Sequence, residues 1–417
     1  MENTMADKSA IEWTDATWNP IVGCSILSPG CTHCYAMGMA ARIEAMTVAL
    51  KAKGQTGAPH YDGTTRKAKG TTIWTGKVAL APDHILTEPL TWKRPRKIFV
   101  NSMGDLFHED VPDAWIDKVF AVMALAPQHT FQVLTKRAKR MREYMNERWQ
   151  PAPAHRLAWP GGDAIDIPAE TKGEDREDQV RAACEPFLEK LGLVDTDNDE
   201  LWTEDGNAKA MTWTWPLKNV WLGVSAERQT EWDERTEHLV HTPAATRFVS
   251  IEPMLGPIDC RFGVHHHPDN APSLELAAVV RAARWHVANF AGVGIIDWII
   301  VGGESGPGAR PMHPDWARSI RDQCAAAGVP FFFKQWGEWA PHKPTWGGDL
   351  GGDVRAGRVE IVHPTGQSDI EVFNATGGRN TIPGSRYMAR LGKKAAGRLL
   401  DGVEHDAMPV SDCNQPK

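Results

Sequence analysis

"IVGCSILSPGCTHCYAMGMAARI", residues 21–43, places three cysteines in a short loop between an apolar, strand-like run and a helix-like run. The spacing is C-x6-C-x2-C, and the thiols are Cys24, Cys31 and Cys34. The other four of the seven cysteines, Cys184, Cys260, Cys324 and Cys413, are single and far apart. An odd, thinly spread set does not read as a disulfide framework. Two questions follow: which fold presents this loop, and what three neighbouring thiols hold.

The run before the loop is the first of seven similar ones. They cover 18–22, 97–102 (KIFVNS), 130–135 (TFQVLT), 219–224 (NVWLGV), 247–251 (RFVSI), 298–303 (WIIVGG) and 329–334 (VPFFFK). Near-continuous hydrophobicity suits strands covered on both faces, as in a parallel sheet with helical crossovers. Helical patterns follow in step at 113–126, 138–149 and 314–328, the last opened by Pro314 and closed by Gly328. Repeated strand–loop–helix units predict an α/β fold, a partial (β/α) barrel of six to seven mostly parallel strands spanning 11–340. Two insertions interrupt it, at about 150–216 and 259–296. A Gly/Pro-rich C-terminal extension, 341–417, carries a short basic helix in "LGKKAAGRLLDG".

Composition narrows the class. Of the 417 residues, 42% are hydrophobic and 24% charged, the balance of a soluble globular chain. No apolar run approaches spanning length, and the N-terminus lacks a basic-then-apolar leader, so the expectation is a cytoplasmic protein with no membrane partner. A formal net charge of −7 disfavours wrapping a long nucleic acid, though it leaves room for a local basic groove. The eighteen tryptophans are scattered and read as core and loop packing rather than a base-stacking platform.

In sheets of this class ligands bind outside the carboxyl ends of the strands. Here those ends carry "CSILSPGCTHC", "NSMGDLFHED", "TKR", "SAERQ", "EPMLG" and "GGESG", so thiol and charged chemistry collects at one rim. Thiolates bind zinc and iron–sulfur clusters alike. A structural zinc wants a fourth ligand from His33, Cys260, Cys324 or His265–His267, none of which offers a second close pair. A [4Fe–4S] cluster held by three thiolates leaves one iron open for a small molecule. Three free thiols remain the plainest alternative.

The loop resembles that of radical S-adenosylmethionine (SAM) enzymes, whose motif is C-x3-C-x2-C with an aromatic beside the last cysteine. Cys31, Cys34 and Tyr35 fit its second half, and a Ser28-Pro29-Gly30 turn absorbs the longer first interval. More closely, the chain resembles a phage and prophage family of radical-SAM-like three-cysteine-motif proteins. The segments that carry the resemblance are "IEWTDATWNPIVGC", "PGCTHCYA", "KIFVNSMGDLFHEDVP", "FQVLTKR", "VWLGVSAE", "RFVSIEPMLGPID", "WIIVGGESGPGARPMHPDW" and "PFFFKQWGEW".

That resemblance implies that Cys24, Cys31 and Cys34 hold three irons of a [4Fe–4S] cluster whose open iron binds SAM, cleaved to a radical after one-electron reduction by a donor. It implies Ser102, Gly104 and Asp105 near the SAM amino group, and Lys136 or Arg137 at its carboxylate. Ser225 and Glu227 would meet the ribose, and Gly302 and Gly303 would let backbone approach SAM. Glu252 and Glu304 are candidates for catalytic proton or substrate handling; Lys334 and Gln335 are further rim candidates. His265–His267 read as a fortuitous loop cluster. The substrate is unidentified, a nucleotide or nucleic acid being the expectation from phage context. The competing expectation is a non-catalytic zinc- or cluster-stabilised module that works with a phage or host protein.

Overall fold

Six of the seven apolar runs form one sheet, together with a strand that ends where the first run begins. The computed structural model describes residues 9, 11–147, 155–157, 165–167, 175–191, 213–260, 295–342, 359–366 and 383–409. Its sheet strands are β1 (Ala16–Trp18), β2 (Lys97–Val100), β3 (Thr130–Thr135), β4 (Val220–Ser225), β5 (Thr246–Ile251), β6 (Trp298–Gly302) and β7 (Phe331–Gln335). They lie side by side in chain order, every neighbouring pair parallel. Such an order, with helices α1 (Tyr35–Lys51), α2 (Asp113–Leu125), α3 (Ala138–Asn146), α4 (Arg176–Lys190), α5 (Gln229–Val240) and α6 (Pro314–Ala327) around it, is the expected partial barrel, curled and open between β1 and β7.

Alternation along each strand makes two cores. Outward residues such as Val100, Val133, Leu222, Val249, Val301 and Phe333 pack under the helices. Inward residues Trp221, Phe248, Trp298, Ile300 and Phe332 meet Trp13 inside the curl, with Phe99 and Leu134 against them. Trp13 stands 4.9 Å from the Phe99 ring and 6.1 Å, edge-on, from Trp298. Three tryptophans thus fill the lower interior, as packing. Gly223 is part of the fit: a Cβ there would sit 2.6 Å from the Phe248 ring.

Two expectations need correction. The first strand does not run through 18–22. It leaves the sheet after Trp18, and Ile21–Val22 pairs antiparallel with Ala79–Leu80 instead. Pro20 has no N–H for a ladder, and the Ile21 N–H goes to Asn101 Oδ1 at 3.2 Å. The short basic helix expected in the extension is present, as a single turn, Lys393–Ala396, bounded by Gly392 and Gly397 at φ 84° and 70°. The excursion at 150–216 contributes to the outer layer: α4 buries Val180, Cys184, Phe187 and Leu188 in the main core. A capping box opens it, with Asp175 accepting from Asp178 N–H and Asp178 accepting from Asp175 N–H. Of the second insertion, residues 261–294, with His265–His267, lie outside the described residues.

The extension packs on the barrel through β8 (Trp339–Pro341), β9 (Val359–Val362) and β10 (Arg386–Arg390), a small antiparallel sheet ordered β8-β10-β9. Beyond it the chain runs back along β7. Phe333 N–H donates to His405 O (2.9 Å), Trp298 Nε1 donates to Ala407 O (2.8 Å), and Met408 packs against the inner aromatic core. The exposed edge of β7 is thereby covered. Arg318 and Arg321 on α6 fasten this return through Asp401, at 2.6 and 2.7 Å. No helix among the described residues is long and apolar enough to cross a membrane.

Gly223→Ala is expected to destabilise the fold by about 1–3 kcal/mol through overpacking against Phe248. The measurement is the midpoint of urea unfolding, and an unchanged midpoint would refute the filled interior.

The hydrogen bonds from Arg318, the largest cause, then those from Arg321, lower the Asp401 carboxyl from an ordinary 3.8 to about 2. A depressed folded value means stability present above pH 3.8 and lost as pH falls through about 2. With solvent beside the pair, Asp401→Asn is expected to lower stability by less than about 1 kcal/mol at neutral pH. That difference should shrink below pH 4 and in high salt, as thermal unfolding against pH will show.

Candidate functional site

β1 delivers the chain to the rim, and the cysteine loop then crosses the carboxyl ends of its neighbours. Ser28-Pro29-Gly30 forms the expected tight turn, a 3-10 segment at Pro29–Cys31, and α1 starts directly after Cys34. Three buried carboxylates, one past the end of each even strand, hold the loop down. Each is paired with an arginine.

Past β2, Asp105 accepts from Thr135 Oγ1 (2.6 Å), Phe107 N–H (3.0 Å), Lys136 N–H (3.1 Å) and Arg137 Nη1 (3.0 Å). Arg137, so oriented, donates to Ser25 Oγ at 2.6 Å and stands 3.6 Å from Cys24 Sγ. Burial opposes the charge of Arg137, but Asp105, Cys24 and Glu109 outweigh it and raise its pKa. Past β4, the fully buried Glu227 is clasped by Lys136 and by Arg235 Nη1 (3.2 Å), and accepts from Ser28 Oγ at 2.8 Å. Burial raises its carboxyl, yet Lys136 and Arg235 pull it below the ordinary range. Past β6, Glu304 takes two bonds from the Arg310 guanidinium (2.8 and 2.6 Å), and Arg310 reaches on to Pro29 O at 3.0 Å. His33 Nδ1 lies 3.4 Å from the same carboxylate. Arg310 and then His33 hold Glu304 low against the upward push of burial.

Glycines let the backbones meet. A Cβ on Gly30 would strike the Glu227 side chain at 2.2 Å, and one on Gly104 would approach Ile21 O at 2.8 Å. Gly23 and Gly104 form a parallel bridge that ties the loop's start to β2.

All three thiols are free. Cys31 is buried and Cys24 and Cys34 half-buried, and each of these two carries a charge interaction with Cys31. Burial first, then Asp105, pushes Cys24 up to about 12 against the pull of Arg137. Burial also raises Cys34, opposed by the N–H groups of Ala36 and Met37. Ser28 Oγ lies 3.8 Å from Cys31 Sγ. The donor set is soft, anionic when deprotonated, and served by a cation and a hydroxyl, which fits an iron–sulfur cluster. Among the described residues, no three His, Cys, Asp or Glu side chains are gathered around one point for a single ion. A cubane asks for something different, because each thiolate holds its own iron.

The other predicted residues divide by partner. Ser102 bonds Asn19 Oδ1 through its hydroxyl (3.1 Å) and takes the Tyr35 hydroxyl on its carbonyl (3.0 Å). Ser225 is buried, shares the inward register of Trp221 and Gly223, and offers its carbonyl to Arg235 at 2.7 Å. Glu252 pairs with Lys334 at 2.7 Å, and Gln335 bonds Ser305 Oγ at 3.3 Å. Gly302 faces the Glu252 side chain, and Gly303 lies against the Trp336 carbonyl. Asp105, Glu227, Glu252 and Glu304 therefore all engage cations of this chain. Cys260 and Cys324 are buried in the outer core.

A family model described as "Protein of unknown function (DUF5131)" matches residues 8–409. The chain belongs to this family. No curated protein and no solved structure matches it. The DUF5131 match runs from before β1 to the end of the return along β7, so it takes in the rim, both insertions and the small sheet.

Sequence reasoning did not single out Arg235, Arg310, Ser25 or Thr135. Arg310 sits in a turn sequence, "GPGARP", and Arg235 among the charges of α5, where arginine is ordinary. Neither carried a signal of its own. Glu227→Gln is expected to destabilise the protein by about 3 kcal/mol, because Lys136 and Arg235 would face a neutral amide in a buried site. Ellman's reagent should then label Cys24 and Cys34 faster. Labelling at the wild-type rate would show that Glu227 does not hold the loop.

Proposed function

We propose that the chain is a radical-SAM-type iron–sulfur enzyme whose cysteine loop carries a [4Fe–4S] cluster at the rim of a partial (β/α) barrel. The observation that supports this reading is the placement of three free thiols on a loop latched to the ends of β2, β4 and β6. A cluster with SAM bound supplies reductive cleavage of the sulfonium by one electron from an external donor.

The chain's own residues would do the rest. Cys24, Cys31 and Cys34 hold the metal. Arg137 sets a fixed positive charge beside Cys24, and Ser28 sets a hydroxyl beside Cys31. Both stabilise sulfur-centred negative charge. Lys136 and Arg137 are the rim cations suited to the carboxylate of SAM, and Ser225 lies at the inward level suited to its ribose. The aromatic interior closes the barrel below that level. Glu252, paired with Lys334, and Glu304, held by Arg310 beside His33 of the cysteine loop, would move protons or grip substrate.

Anaerobic reconstitution with iron and sulfide is expected to give brown protein with about four irons per chain. With a strong reductant it should form 5′-deoxyadenosine from SAM. Cys31→Ala should lose both iron and cleavage while keeping the wild-type circular dichroism. One tightly held zinc per chain, with unfolding on chelation, would overturn the reading in favour of a metal-stabilised interaction module.

A further inference from the structure

Charge is sharply segregated in this chain. Residues 35–80, all described, carry seven Lys or Arg against two carboxylates, Glu44 and Asp62, a net of +5. The whole chain stands at −7, so the remainder carries −12. Both carboxylates of the lobe are engaged internally. Glu44 accepts from Gly63 N–H and Thr65 Oγ1, and Asp62 from Lys51 at 2.7 Å. Arg42, Lys53, Arg66, Lys67 and Lys69 are exposed with no ion pair among the described residues.

Three of these cations stand on an antiparallel ribbon, Thr65–Ala68 paired with Thr71–Trp74. Lys69 and Gly70, at φ 47° and 82°, make the two-residue turn at its tip. The exposed positions of the ribbon are Arg66, Lys67, Lys69, Gly70 and Thr71, all polar, while Trp74 is turned under against Ala36, Met37 and Met103. A protein-docking surface has an apolar centre. The ribbon offers only cations, a hydroxyl and open backbone, the chemistry that meets phosphates, while α1 also exposes Tyr35, Met39, Met46 and Val48. Rigid coupling to the rim completes the arrangement: Cys24 and Cys34 pack on the same small core as Trp74, and Gly76 N–H donates to Cys24 O at 3.2 Å.

We infer that ribbon 65–74 binds the phosphodiester backbone of a nucleic acid and leads the strand to the cysteine loop. As an assignment of substrate class it rests on the proposed function; the binding itself needs neither iron nor SAM. The acidic remainder of the surface repels a polyanion and confines it to this lobe.

The test is fluorescence anisotropy of the full chain with labelled single-stranded DNA, single-stranded RNA and duplex DNA across a salt series. The chain is expected to bind at least one of them. The triple variant Arg66→Glu, Lys67→Glu, Lys69→Glu should weaken that binding at least about tenfold at moderate salt. Losing three contacts should flatten the log–log salt slope by about two on a single strand. A control triple, Lys93→Glu, Arg94→Glu, Lys118→Glu, at exposed positions outside the lobe, should stay within about twofold of wild type, since the counterion-release term belongs to the phosphates actually contacted. Wild-type affinity in the ribbon variant, equal loss in the control, or binding of polyglutamate with no oligonucleotide bound would each overturn the inference. Iron is assayed on the same preparations. A chain that takes iron but no oligonucleotide sinks this inference alone; one that binds oligonucleotide but no iron sinks only the cluster reading.

Discussion

Three buried carboxylates, each paired with an arginine under one loop, are the constraint on which this molecule turns. Asp105 with Arg137, Glu227 with Arg235 and Glu304 with Arg310 stand past β2, β4 and β6, and each pair touches the cysteine loop at a different point. Ion pairs of this kind add little net stability, because desolvating both charges offsets most of their attraction. Removing one partner is another matter, since it strands a charge without water. The pairs therefore act on position. They make one arrangement of the loop far better than its neighbours, and that is what a trio of thiols needs if it is to grip anything at a fixed distance.

The strands were readable because burial on both faces makes most of their residues apolar, with polar ones such as Gln132 and Ser250 the minority. Six of the seven runs became strands of the one sheet, parallel as expected. The first was misplaced at its end, where Pro20 matters more than the apolar residues after it, and Ile21–Val22 found another partner. Helix α4 was missed for a different reason. "REDQVRAACEPFLEK" is short of apolar residues and holds Pro186, so its burial comes from a few side chains and the ion pairs of Arg176 with Asp113 and Asp117. Such pairing is a property of the fold, invisible in the segment itself.

The site was legible to the same extent and with the same limit. Its cysteines announce themselves by spacing, and its carboxylates by standing just past strand ends. Their partners do not. Ser28 meets Glu227 across 199 positions and Pro29 meets Arg310 across 281, so no local pattern ties them. Asp105, read as a partner for an ammonium group, accepts four donors from its own chain, with Arg137 as its cation. Through that bond Asp105 fixes where the Arg137 charge points.

The interior explains why chemistry is confined to the rim. Lower inward positions carry Trp13, Trp221, Phe248, Trp298 and Phe332, packed closely enough that position 223 has space only for glycine. Higher inward positions turn small and polar, with Ser225, Ser250 and Gly302. The aromatic cluster gives the barrel interior an apolar floor below these polar positions. Because the loop covers the ends of β2, β4 and β6, what reaches that level must come past its margin, and the basic ribbon is built against that margin through Gly76 and Trp74. Floor, loop and ribbon are thus three parts of one geometry: on the proposed reading, each narrows where an anion would lie, and together they would bring it to the sulfurs.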